Sequence, residues 1–348
     1  MKKLKKLLAL FTAIAMLSAT AACGTSESSG SAAETSGNTE ASTSAEDTTV
    51  NNASADAEYT VGICQLVQHE ALDAATEGFM AALTDKLGDK VKFEEQNASN
   101  DSANCATIIN GFVSSNVDLI LANATAPLQA ATAATSEIPI LGTSVTDYAT
   151  ALEISDWTGT VGTNVSGTSD LAPLDQQAAM IKELFPDAKK VGLLYCSAEP
   201  NSVYQCDVIE GYLEEDGYEV ERFAFTDTND VSSVTQSACD ASEVIYIPTD
   251  NTAASNTEAI ANVVLPAGVP VVAGEEGICK GCGVATLSIS YYDLGYTTGE
   301  MAYEILVNGA DVSTMPIEYS ETVTKKYNAT NCETLGITPP DGYEAIES

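Results

Sequence analysis

The sequence predicts an α/β protein of two doubly wound Rossmann-like lobes joined by hinge strands. Short apolar runs of strand length alternate with helical patterns from residue 59 onward. The alternation halts at an irregular stretch, 143–170, and then restarts, as two units in series would. The last few elements are too few to form a domain, so they must return to the lobes already built. About 290 residues take part, enough for one large or two medium domains.

The chain is organised around 61–78, VGICQLVQHEALDAATEG. Val61, Ile63, Leu66 and Val67 form an apolar run, and Leu72, Ala75, Phe79, Met80 and Leu83 then recur at helical spacing. A strand that feeds a helix within a few residues is the first half of a βαβ unit, and it aims backbone N–H groups at whatever lies above the strand end. Strands are expected next at 91–93, 117–122 and 138–141, with helices at 102–113 and 127–134. Residues 143–170, with Trp157 and the segments TGTVGTN and VSGTSD, read as a crossing between lobes. Beyond it, helices are expected at 173–184, 202–213, 231–239 and 253–264, alternating with strands at 190–195, 218–223, 243–247 and 269–273. A strand at 284–289, an amphipathic helix at 293–306 and an extended segment at 316–323 close the pattern. The expected first lobe is therefore 59–165 plus 290–320, and the second 166–289 plus 321–340.

The first residues are processing information. Lys2, Lys3, Lys5 and Lys6 precede an apolar stretch, and small residues lead to Cys23, so 1–22 reads as a signal peptide too short to span a membrane. Small residues immediately before a cysteine resemble a bacterial lipobox, which implies a diacylglyceryl anchor on Cys23. Ordinary secretory cleavage, leaving a free protein, is the other reading. Either way the mature protein is expected outside the cytoplasmic membrane, at its outer face if anchored. Residues 23–58 are Ser, Thr, Ala, Gly and acid with almost no large apolar group, the composition of a flexible tether.

With 50 acidic against 14 basic residues the net charge is −36, and it grows more negative once the four signal lysines are removed. That excludes nucleic-acid binding and adhesion to anionic lipid. Nine cysteines include Cys23, leaving eight; Cys279-Lys-Gly-Cys282 has no second CxxC or histidine pair to complete a zinc set, so no metal is expected. A local disulfide or free thiols remain as readings of that motif. Cys196 and Cys206 would pair only if their loop folds back.

In open parallel sheets ligands sit beyond the carboxyl ends of the strands, where loops converge. The strand-end candidates are Gln65, His69, Glu70, Asn123, Thr125, Thr143, Ser144 and Thr146 in the first lobe. In the second they are Asn201, Ser202, Asp250, Asn251, Glu275 and Glu276. His69 is the only histidine, and nothing nucleophilic is set beside it, so it is expected to form a hydrogen-bonding wall and no catalytic residue is assigned. Asp250, Thr125 and Ser202 stand just before helices, where a capping role competes with a ligand role.

The segments GICQLVQHEALDAATEGF, DLILANATAPLQAA, IPILGTSVTD, VSGTSDLAP, ELFPDAKKVGLLYCSAEPNS, VIYIPTDNTAAS, VPVVAGEEG and ATLSISYYDLGYTTGEMAYEIL occur in this order. The set, spanning about 59–338, resembles the tryptophan/tyrosine family of ABC-transporter substrate-binding lipoproteins. The resemblance implies a type I periplasmic-binding-protein fold, two lobes closing on an aromatic amino acid (Trp, Tyr or Phe), and a membrane permease with its ATPase as partners. The missing catalytic constellation argues against an enzyme, no cofactor is expected, and a monomer is expected.

A zwitterion needs its carboxylate and ammonium matched separately, because a buried unpaired charge costs several kcal/mol. The single arginine, Arg222, is expected within a strand away from the strand ends, so a guanidinium clamp is excluded. The expected carboxylate donors are helix-start amides with the hydroxyls of Thr125, Thr143, Ser144 and Ser202. Asp250, with Glu275 or Glu276, is the expected ammonium partner. Tyr291 and Tyr292 are candidates to stack on an aromatic ligand, and Trp157 to flank it. The alternative function is a ligand sensor, or a binding protein for another small polar solute such as a branched-chain amino acid, nucleoside or sugar, on the same fold.

Overall fold

A computed structural model of the protein describes residues 57–320 and 322–347. The expected signal peptide, Cys23 and the tether up to residue 56 lie outside the described residues. The chain begins with β1 (Tyr59–Gln65), α1 (Glu70–Leu87), β2 (Val91–Asn97), α2 (Ser102–Ser115), β3 (Leu119–Asn123), α3 (Thr125–Ala134), β4 (Ile140–Val145), α4 (Tyr148–Ala151) and β5 (Val165–Ser169). It continues through α5 (Leu174–Leu184), β6 (Lys190–Cys196), α6 (Pro200–Glu215), β7 (Glu219–Phe225), α7 (Val231–Ala241), β8 (Val244–Ile247) and α8 (Asn251–Ala254). Then follow α9 (Thr257–Ala267), β9 (Val271–Ala273), α10 (Glu276–Cys282), β10 (Ala285–Ser288), α11 (Tyr291–Leu306), β11 (Glu318–Tyr319), β12 (Thr324–Tyr327), α12 (Ala329–Leu335) and β13 (Glu344–Ala345).

Two sheets result, one ordered β11-β5-β4-β3-β1-β2 and the other β13-β12-β10-β9-β8-β6-β7. Every neighbouring pair is parallel except β10 with β12. The chain crosses between sheets after β5, between β10 and β11, and between β11 and β12. Both sheets are covered on both faces, which is why their strands read as near-continuous apolar runs. In the first, Val61, Ile63, Leu119 and Leu121 pack under Phe79 and Leu83 of α1 and Met301 of α11. Its other face sets Cys64, Ile120 and Ala122 against Ile109 and Phe112 of α2 and Leu128 of α3.

Several boundaries differ from the sequence expectation. Residues 165–169 pair with β4, so the first crossing falls after Ser169 and not at 165/166. All five are buried, but hydroxyls and glycine hide the apolar signature of a strand. The helix expected at 253–264 is two, α8 and α9, interrupted at Ser255 and Asn256. The CxxC lies inside an unanticipated helix, α10, with both thiols buried and free; all eight described cysteines are free, Cys196 and Cys206 included. The second lobe extends to β13, past residue 340.

The helices α1 and α11 lie against each other with backbones almost touching. A Cβ on Gly78 would overlap the Tyr292 carbonyl oxygen, and one on Gly295 would overlap that of Ala75. Ala75 faces Gly295 and Phe79 faces Gly299, so the two helices run the same way and their N-termini meet at one end. His69 and Tyr291 stand at those ends, which brings them to the mouth of the sheet.

Candidate functional site

The carboxyl ends of both sheets face one cleft. The first lobe contributes His69, Leu72, Ser144, Thr146 and Asp170, and the second Asn201, Thr249, Asp250, Asn251, Ala254 and Glu275; Tyr291, at the head of α11, closes one side. The lobes leave only a small cavity between them, about 10 Å³. Hydrogen bonds run across it: His69 Nε2 to Asn251 Oδ1 at 3.2 Å, Asn100 Nδ2 to Thr252 Oγ1 at 3.0 Å, and Thr146 Oγ1 with Thr249 Oγ1 at 3.4 Å. An ion pair, Lys280 Nζ to Glu70 Oε1 at 2.9 Å, joins α10 to α1 at the rim. The lobes are therefore closed on each other.

Chemistry inside the cleft turns on which carboxylates already have donors. Asp250 caps α8: Oδ1 accepts from Ala253 N at 2.8 Å, and Oδ2 reaches back to the end of β6, where Cys196 N donates at 2.6 Å. Glu275 caps α10 by accepting from Gly277 N at 2.6 Å and from Ile278 N. Glu199, which sequence reasoning overlooked, accepts from Asn251 N at 3.0 Å and Thr252 N at 2.8 Å. The first-turn amides of α8 and α10 that these carboxylates hold are thus filled from within the second lobe and are not free for a ligand carboxylate. Asp250, expected as the first ammonium partner, and Glu275, its expected companion, spend their oxygens on backbone N–H groups. Burial and the Glu199 charge hold Asp250 above the usual carboxylate range, and burial pushes Glu275 up to about 7 against the pull of the two capped amides.

Asp170 is different. It follows β5, is 4% exposed, and Oδ2 accepts from the Tyr291 hydroxyl at 2.8 Å, while Oδ1 has no hydrogen-bond partner among the described residues. Burial raises its pKa, with the Tyr291 and Thr146 hydroxyls opposing. Ser144 also lines the cleft with an unpartnered Oγ. Its φ of 54° coincides with a slip in the β4–β5 register between Gly142 and Val145, a bulge that re-aims the side chain. The signal for Asp170 in the sequence was its position after VSGTS, a strand that the hydroxyl-rich segment concealed.

Of the residues expected from sequence, His69, Ser144, Thr146, Asn201, Asp250, Asn251, Glu275 and Tyr291 line the cleft. The others do not. Gln65 is buried between Val67 O, Asp73 and Thr76; Asn123 bonds Leu72 O and Thr76; Thr143 bonds Thr168. These side chains hold α1 and β5 onto the sheet, because strand-end polar groups next to a close-packed helix find partners there first. Thr125 is buried as the first residue of α3. Ser202 is buried at the start of α6, where its Oγ accepts from Asn201 Nδ2 at 3.3 Å. Glu70 pairs with Lys280 at the rim, and Glu276 with Lys326 of β12 at 2.6 Å, so Glu275 alone of that pair faces the cleft. Tyr292 is 40% exposed and stacks on Tyr296, and Trp157 packs on the first-lobe core. Arg222 lies in β7, paired with Asp207 and Glu210.

His69 is half-buried in the closed cleft, and desolvation lowers its pKa, partly offset by Asn251, Glu199 and Asp73. A broader depression on the hinge side, about 730 Å³, is lined by Glu276, Tyr292, Glu318, Tyr319 and Lys326 among others. It is larger but open, and among the described residues no unpartnered buried polar atom belongs to it. The interlobe cleft is the candidate site.

Two doubly wound lobes closing on a polar, buried cleft define a solute-binding protein of the type I periplasmic-binding-protein fold. The chain belongs to the ABC transporter substrate binding protein family, whose model matches residues 60–345. A tyrosine-binding protein of Clostridioides difficile (strain R20291) is 38% identical over 260 residues, 74% of this chain and 75% of that protein. The crystal structure of an ABC domain in complex with L-Trp from Streptococcus pneumonia shares 30% identity at a TM-score of 0.79, covering 83% of this chain and all of that one. A ligand-free, open substrate binding protein with adhesive properties from Clostridium difficile shares 36% identity at a TM-score of 0.64, over 83% and 99%. The better fit to the complex, despite lower identity, agrees with the closed lobes seen here. These relatives are substrate-binding proteins and not enzymes.

Proposed function

We propose that the cleft binds an aromatic L-amino acid, tyrosine or tryptophan, for delivery to a membrane permease driven by its ATPase. The observation that carries this reading is Asp170 Oδ1, a buried carboxylate oxygen that makes no hydrogen bond among the described residues, in a cleft shared with the Ser144 hydroxyl, which likewise makes none. A buried carboxylate of this kind calls for a cation, and the ligand ammonium supplies it. The ligand carboxylate takes the Ser144 hydroxyl and the first-turn amides of α1, a helix whose N-cap residue His69 makes no side-chain cap. Leu72, Tyr291 and the His69 ring provide the apolar and aromatic wall for the side chain. The names of the relatives, tyrosine-binding and L-Trp-bound, point the same way.

A lipid on Cys23 and a polar tether over 24–58 would keep the binding domain at the outer face of the membrane, within reach of its permease. Calorimetry of the purified mature chain against amino acids, branched-chain ones included, and against sugars and nucleosides tests the ligand. Tight binding of tyrosine or tryptophan, and not of leucine or ribose, is the expected result. Binding of a sugar or nucleoside with no amino-acid response would overturn the reading. For the anchor, Cys23→Ala should move the protein from the membrane fraction to the medium.

A further inference from the structure

Glu199 is buried and stands at the N-cap position of α6, yet its side chain does not cap that helix. It turns instead to the start of α8. Oε2 accepts from Asn251 N at 3.0 Å and from Asn251 Nδ2 at 2.8 Å, and Oε1 accepts from Thr252 N at 2.8 Å and Thr252 Oγ1 at 2.7 Å. Every one of these partners is a donor, as a carboxylate requires. The end of the Asn251 amide that meets it is therefore the NH2 group, and Oδ1 is turned the other way, towards the opposite lobe. There Oδ1 lies 3.2 Å from His69 Nε2. An amide oxygen only accepts, so Nε2 must carry the hydrogen, and a neutral ring keeps Nδ1 as its acceptor.

We propose that Glu199 is a positioning residue for lobe closure, which holds the Asn251 amide in one orientation so that its oxygen latches the Nε2–H of His69 across the cleft. Glu199 does not line the cleft itself and reaches His69 only through Asn251; its other oxygen holds Thr252, whose hydroxyl accepts from Asn100 of the first lobe, and Asn201 Nδ2 donates to Oε2 at 3.1 Å. Without the carboxylate, the two ends of the amide become interchangeable, and half of the orientations set an NH2 against Nε2–H. The directed bond across the lobes is then lost, although both lobes remain folded. The affinity consequence rests on the proposed amino-acid ligand; the hydrogen-bond geometry does not.

The protein has a single histidine, so labelling with [15N]histidine reports on this ring alone. In the full mature chain, with and without L-tyrosine, the closed wild type should show an Nε2–H ring whose proton is shielded from exchange. In folded Glu199→Gln the shielded proton should disappear and the ring nitrogens should shift towards a mixture of tautomers. Asn251→Ala, which removes the middle of the relay and leaves Glu199 in place, should do the same, and it stands in if Glu199→Gln does not fold. Tyrosine affinity should fall about fivefold in Glu199→Gln, whose remaining oxygen can still hold Thr252, and further in His69→Ala, which also loses a wall of the pocket; the double variant should bind no more weakly than His69→Ala alone. An unchanged ring spectrum in a folded variant, a wild-type ring of mixed tautomers under both conditions, or multiplying affinity losses would overturn the proposal. If the wild type ignores every aromatic amino acid, the ligand reading fails, while the ring spectra still decide the latch.

Discussion

Replacing Asp170 by asparagine keeps the shape of the side chain and removes its charge, and the structure assigns opposite signs to its effects on binding and on stability. In the complex, a hydrogen bond to a charged partner is worth about 1.5–3 kcal/mol, and a ligand ammonium left buried without a counter-charge costs about 3–5 kcal/mol. Affinity for tyrosine or tryptophan should therefore fall roughly a hundredfold to a thousandfold. In the ligand-free protein, burial is the main cause that raises the Asp170 pKa. A carboxyl whose folded pKa lies above its unfolded value stabilises the fold fully below the unfolded value, and loses that contribution as pH rises through the folded one. At neutral pH the buried, half-partnered carboxylate is thus a cost that Asp170→Asn removes. The Tyr291 hydroxyl, which donates to Oδ2, finds an amide oxygen in the variant. The ligand-free melting temperature at pH 7 should be equal to or above that of the wild type. Titration calorimetry and a thermal melt of the same preparation measure both. An unchanged dissociation constant, or a ligand-free variant that melts well below wild type, would refute the assignment of Asp170 as the ammonium partner.

Other substitutions follow from the same geometry. Asp250→Ala should destabilise the ligand-free protein by roughly 2–4 kcal/mol in chemical denaturation, since it removes a helix cap and leaves the buried Cys196 amide without an acceptor; an unchanged midpoint would return Asp250 to a ligand role. Glu275 sits at about 7, above its unfolded value, so its contribution is complete below the ordinary glutamate range and is lost as pH rises through about 7. Glu275→Gln should accordingly flatten the decline in melting temperature between about pH 5 and pH 8, and parallel profiles would count against it. Gly295→Ala forces α1 and α11 apart and should cost about 1–3 kcal/mol while also weakening ligand binding, because Tyr291 moves with α11; wild-type stability would show that the contact yields easily.

The alternation of strands and helices was legible because parallel strands covered on both faces must be largely apolar, and 61–64, 119–122 and 244–247 are. The hydroxyl-rich strand 165–169 broke that rule, which hid both the true crossing and the carboxylate that follows it. His69, Asn201 and Asn251 could be placed at the cleft from strand-end logic alone, and Tyr291 as an aromatic group to stack on a ligand. Gln65, Asn123 and Thr143 obeyed the same logic and do not reach it, because α1 and β5 supply nearer partners. Glu199, one residue before a proline-led helix, resembles any solvated turn acid until α8 folds beside it.

The sequence by itself determined the fold class, the two-lobed plan and the family resemblance, since these rest on periodicity and order along the chain. Only the tertiary structure decided which acid is free. Asp170, Glu199, Asp250 and Glu275 are all acids near strand ends, alike in local context. Whether such a carboxylate caps a helix, braces an amide or waits for a cation depends on which N–H groups the fold brings within reach, and three of the four are already satisfied by their own lobe.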